Sequence, residues 1–133
     1  MLLNGMAVLS WFSMGGYLVV TMVYHITRFS SITEAIMKAY WIAHVEVTDP
    51  GQYTEYTSRA PAAFKRYGGR LLARGGRSEA LEGRVTPQRS VVIEFTSYAQ
   101  AIACYNSPEY QNACRYREGA ACAEVIIVEG CVP

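Results

Sequence analysis

The sequence contains no Cys-x-x-Cys pair, no Gly-x-Gly-x-x-Gly turn and only two histidines, His25 and His44, among its 133 residues. The first absence argues against zinc knuckles and thioredoxin-type redox motifs. The second removes the common phosphate-cradling loop, since Gly75-Gly76 has neither its spacing nor a helix to open. The third leaves no multi-histidine metal site and nothing to support His44 as a haem ligand, so no metal and no cofactor is expected. An excess of one charge is missing too. Twelve Lys and Arg balance eleven Asp and Glu, and no basic stripe interleaved with aromatics runs along the chain, which argues against nucleic acid as a partner. What remains is 51% hydrophobic and 17% charged, a composition that excludes disorder and collagen-like repeats.

Charge is scarcest at the N-terminus. Residues 1–36 hold Arg28 and Glu34, and the remaining 21 of the 23 charged side chains fall in residues 37–133. Leu2 to Tyr24 is uncharged, and a helix needs ~20 apolar residues to cross a bilayer. Asn4, Ser10, Ser13, Thr21 and the glycines at 5, 15 and 16 dilute the run, and no Lys or Arg precedes it as in a secretory signal. Three readings stay open for this apolar N-terminal extension: residues added by a start site upstream of Met37, a membrane anchor, or a signal-like helix. As an anchor it would be followed by His25, Arg28 and Lys38, which keep the next domain on the cytoplasmic side. The expected location is therefore cytoplasmic, with inner-membrane anchoring through residues 2–24 as the alternative, and a membrane is a partner in that case only.

Residues 37–133 carry the pattern of one folded domain. KAYWIAHVEV at 38–47 alternates, with Ala39, Trp41, Ala43, Val45 and Val47 on one side and Tyr40, Ile42, His44 and Glu46 on the other, as a strand requires. Asp49 followed by Pro50 is a helix N-cap and first-turn pair. Tyr53, Tyr56, Ala60, Phe64 and Tyr67 then recur at helical spacing. Pro61 predicts a kink or break in that helix, and Gly68-Gly69 its end. Arg70–Arg74 predicts a second strand, Gly75-Gly76 a turn, and Glu79–Glu82 a third strand closing a hairpin. Arg84 to Gln88 is expected as a loop. Ser90–Phe95 is a β-branched apolar strand. Ser97 caps a helix over 98–105, and Ser107-Pro108-Glu109 opens another that stops at Gly119. Glu124–Glu129 is the last strand. The order is β-α-β-β-α-β, an α+β ferredoxin-like sandwich with an antiparallel sheet and its helices on one face.

The cysteines at 104, 114, 122 and 131 lie among helical and strand patterns without a motif, and are expected as reduced, partly buried thiols.

Several segments together carry a resemblance: AYWIAHVEVTDPGQYTEY at 39–56, YGGRLLARGG at 67–76, EALEG at 79–83, SVVIEF at 90–95, YNSPEYQ at 105–111, and the REGA and VIIVEG runs within 117–130. The domain resembles the domain-of-unknown-function 1330 family of the dimeric α/β-barrel superfamily, over all of 37–133 and none of 1–36. The resemblance implies the fold and a homodimer, but no reaction. The pattern itself favours self-association, because helices on one face leave the other face open, with Tyr40 and Ile42 half-apolar upon it.

Within a dimer cavity, His44 and Tyr40 are the catalytic candidates, since imidazole titrates near neutrality. Arg74 and Arg89 are the substrate-binding candidates, because a guanidinium fork fits a carboxylate. Glu82 and Tyr110 join that set, and Arg117 shares the expected cavity mouth. Each has a structural alternative. A lone strand histidine packs, Arg74, Glu82, Arg89 and Glu94 pair as ions, and helix packing accounts for Tyr110 and Arg117. The expected function is binding of a small acidic or phenolic organic molecule, with cofactor-free catalysis open. The alternative is a non-catalytic dimeric structural module, tethered to a membrane if residues 2–24 are an anchor.

Overall fold

The computed structural model describes residues 37–83 and 85–132. The apolar run at 2–24 lies outside them, and no helix among the described residues is long and apolar enough to cross a membrane. Seven elements follow in order: β1 (Ala39–Val47), α1 (Pro50–Arg66), β2 (Arg70–Arg74), β3 (Arg89–Phe95), α2 (Tyr98–Asn106), α3 (Pro108–Arg117) and β4 (Ala121–Glu129). The strands form one sheet in the order β2-β3-β1-β4, every neighbouring pair antiparallel. The fold is α+β ferredoxin-like.

The strand alternation fixes which face is buried. Ala39, Trp41, Ala43 and Val45 of β1 are buried with Ile93 and Phe95 of β3. The helices cover this face through Tyr53, Tyr56, Ala60 and Phe64 of α1 and Tyr110 and Ala113 of α3. Trp41 is the hub. Its ring lies 4.9 Å from Tyr110, 5.4 Å from Phe64 and 5.7 Å from Tyr105, measured between centroids. These offset and edge-on contacts suit the ring quadrupoles.

Capping side chains set the helix boundaries. Asp49 accepts from the Gln52 N–H, with Pro50 in the first turn. Ser107 serves two helices at once. Its hydroxyl donates to the Cys104 carbonyl at the end of α2 (2.7 Å) and accepts from the Tyr110 N–H at the start of α3 (3.2 Å). That is why Asn106-Ser107-Pro108 divides the helical segment without opening it to water. Gly119, at φ +75°, then turns the chain, and the Ala120 carbonyl accepts from the N–H groups of Thr48 and Asp49. The end of α3 is thereby held beside the start of α1.

Of the two outcomes expected at Pro61, the break does not occur, because Pro61 lies inside α1, which continues to Arg66. One expectation is corrected outright. Glu79–Glu82 is not a strand. β2 pairs directly with β3, and the residues described between them, 75–83 and 85–88, are largely exposed. Four residues with no β-branched side chain are a weak candidate for adding a strand to an open sheet edge.

The expected ion pairs form only in part. Glu94 pairs with Lys38 at 3.1 Å and Arg70 at 2.9 Å. The Lys38 hydrogen bond, with that of Arg70, holds its carboxyl below the ordinary range against an opposing desolvation effect. Arg74, Glu82 and Arg89 make no ion pair among the described residues. All four cysteines are free, Cys104 and Cys114 buried, Cys122 and Cys131 exposed. Burial pushes the Cys104 thiol up to about 11, which keeps it protonated and inert.

Candidate functional site

A narrow cleft opens between α1 and the helix-side face of the sheet, with a cavity volume of about 40 Å³ below a mouth that is open to solvent. Its floor is apolar: Trp41, Ala43 and Val45 from β1, Val91 and Ile93 from β3, Val125 from β4. Its roof is the α1 stripe, with Tyr53, Tyr56 and Phe64. Three arginines line it, Arg74, Arg89 and Arg117, and no carboxylate side chain does.

Each arginine arrives by a different route. Arg89 opens β3 and shares the face of Val91 and Ile93 by the two-residue strand period. Arg74 owes its position to an irregularity. Leu71 pairs with Ile93, but the register then shifts, so that Ala73 meets Val92 and Arg74 meets Val91. Without that extra residue Arg74 would fall opposite Ser90 on the other face, since a one-residue slip exchanges the faces. Gly75, at φ +64°, follows at once, and a Cβ there would come within 3.3 Å of Arg89 Cγ. The glycine both makes the turn and leaves room for the arginine stem. Arg117 sits seven residues after Tyr110 on the inner face of α3.

Arg117 is held by phenols. Its Nη1 donates to Tyr110 Oη at 3.2 Å and more loosely to Tyr56 Oη at 3.4 Å. The two phenol oxygens are 3.3 Å apart. Burial raises the pKa of both phenols despite the nearby guanidinium. Burial opposes the Arg117 charge, but Tyr110, Tyr56 and Cys114 together raise its pKa on balance, so the guanidinium stays charged. Each phenol oxygen accepts from Arg117. If Tyr110 donates to Tyr56, the Tyr56 proton is left available to a molecule in the cleft. Arg89 is half-buried with its Nε sealed from solvent and without a partner. The cleft therefore sets guanidinium groups and the Tyr56 phenol against an apolar wall.

The candidates read from the sequence divide between places. Arg74 and Arg89 meet in this cleft. His44 and Glu82 do not. They line a broad, open groove on the opposite face, together with Glu46, Glu79, Cys122 and Glu124. His44 Nδ1 is 3.1 Å from Ser90 Oγ. Tyr40 lies on that open face opposite Glu94 and Val128. Tyr110 is fully buried behind Tyr56. Strand periodicity explains the separation of His44: it alternates with Trp41, Ala43 and Val45, and the helices cover their side. No group of three or more metal-ligating side chains assembles among the described residues. The sequence pattern assigns Tyr53 and Tyr56 to packing alone, and Arg117 to the cavity mouth with helix packing as the alternative; the structure places Arg117 in the cleft lining. The Tyr110–Arg117 spacing of two helical turns was the available signal for an inward-facing arginine.

Comparison with known proteins bears on the fold. No curated protein matches the chain. A protein of unknown function from Rhodopseudomonas palustris is similar in structure over 82% of this chain and 94% of its own, at 18% identity and a TM-score of 0.59. SnoaB, a cofactor-independent oxygenase from Streptomyces nogalater, is similar over 73% of this chain and 96% of its own, at 14% identity and a TM-score of 0.51. At these identities the likeness is one of fold. Residues 38–131 match the family model described as Domain of unknown function (DUF1330).

Proposed function

The chain belongs to the DUF1330 family, and from that premise we propose that it binds a small organic anion in the cleft between α1 and the sheet. The observation that carries this reading is the lining: three arginines and no carboxylate. Partly buried charge without a counter-charge is costly, and an anionic ligand relieves that cost. The apolar floor selects an organic body over a bare ion.

Thermal unfolding of the full chain tests the proposal, because a ligand specific to the folded state raises Tm by mass action. Benzoate is expected to raise Tm, and its neutral isostere benzamide is not. The shift diminishes in Arg89→Ala and persists in His44→Ala. Equal shifts from benzoate and benzamide would overturn the reading.

The protein is also proposed to form a homodimer through the open sheet face. Ile126 and Val128 stand there 57% and 45% exposed beside the half-buried Ile42 and Val92. Charge favours a two-fold partner. Lys38 and Arg70 cluster near one end of this face, around Glu94, and Glu46 and Glu124 near the other. A second copy placed antiparallel sets acid against base while covering the apolar centre.

A further inference from the structure

We infer that the ligand of the cleft is an organic dianion, in the simplest case a dicarboxylate; this rests on the anion reading above and sharpens it. Two of the three arginines need a counter-charge. Arg74 is exposed. Arg89 and Arg117 are half-buried, and neither meets a carboxylate among the described residues. Arg117 spends its hydrogen bonds on neutral phenols, and Arg89 has a sealed, unpartnered Nε. A monoanion would compensate one of the two and leave the other as it is.

The two guanidinium groups also stand against neighbouring rings of the same cleft. Arg89 lies over the Tyr53 ring, 5.9 Å from its centroid, and Arg117 over the Tyr56 ring at 5.1 Å. Those two rings are neighbours, with centroids 5.5 Å apart. The cationic heads thus flank one pair of adjacent phenols at the cleft wall, and each can take a carboxylate through its planar fork. Val45, Val91 and Ile93 on the floor face the hydrocarbon that joins the two acid groups.

The test is calorimetric titration of the full chain, at constant ionic strength, with phthalate and with glutarate, each against its monoamide. The monoamide has the same shape and one charge less. Inorganic sulfate serves as the dianion without a body. Each dicarboxylate is expected to bind at least about tenfold more tightly than its monoamide. Arg89→Gln and Arg117→Gln are each expected to bring that ratio towards one. If Arg117→Gln does not fold, Arg89→Gln and the monoamide comparison carry the test alone. Equal affinity for acid and monoamide would overturn the dianion and leave the anion reading standing. Sulfate as tight as phthalate would overturn the organic body. No binding by any of them would overturn both readings together.

Discussion

β1 contributes to both faces of the sheet, and its two sets of side chains meet different chemistry. Trp41, Ala43 and Val45 face the helices and form the floor of a narrow cleft whose charged groups are all arginine. Tyr40, Ile42, His44 and Glu46 face outward, and the groove beside His44 is broad and lined by glutamates without an arginine or lysine among the described residues. The same strand thus separates a site suited to an anion from a surface suited to a second protein chain. The comparison also separates two kinds of clue. His44 is the one histidine of the domain, yet it stands on the exposed side. The cleft is marked instead by charge that has no counter-charge, and that becomes visible only once the fold has brought three arginines together.

Substitutions on the two faces should therefore break different properties. The largest effect is expected at the hub of the covered face. Trp41→Ala should destabilise the fold by about 3–5 kcal/mol, as for other buried aromatic truncations, measured by denaturant unfolding. On the open face, Ile126→Asp should leave the fold intact and convert the dimer to a monomer. Sedimentation would then give half the mass, and an unchanged mass in a folded variant would refute the proposed interface. Ser107→Ala should cost about 1–2 kcal/mol, because one hydroxyl is shared between the end of α2 and the start of α3.

The smallest expected effect concerns acid. The folded-state pKa of Glu94 is lowered, so its contribution is present above the unfolded pKa and is lost as pH falls through the folded one. Glu94→Gln should flatten the acid limb of the stability curve. An unchanged limb would mean that the Lys38 and Arg70 contacts contribute nothing measurable.

Much of the fold was legible because local rules and tertiary structure agree. The alternation at 39–47, the Asp49-Pro50 start and the Ser107-Pro108 restart are short-range signals, and each sets an observed boundary. Glu79–Glu82 misled because a turn signal at Gly75-Gly76 suggests a tight hairpin, whereas β2 finds its partner fourteen residues beyond the turn's start, at β3. The site was less legible. Arg89 follows from strand period alone. Arg74 depends on a register shift that no pattern announces, and Arg117 depends on how α3 docks beside α1. Tyr53 and Tyr56 belong to an apolar stripe, and their second role as cleft walls appears only when arginines are set against their rings.

The proposed anion site lies on the helix-covered face. The most direct measurement is a side-by-side calorimetric titration of phthalate into the wild type, Arg89→Ala and His44→Ala. Arg89→Ala is expected to lose at least about tenfold in affinity, about 1.4 kcal/mol, and His44→Ala to bind like the wild type. Wild-type affinity in Arg89→Ala together with a loss in His44→Ala would place the ligand on the open face and contradict it.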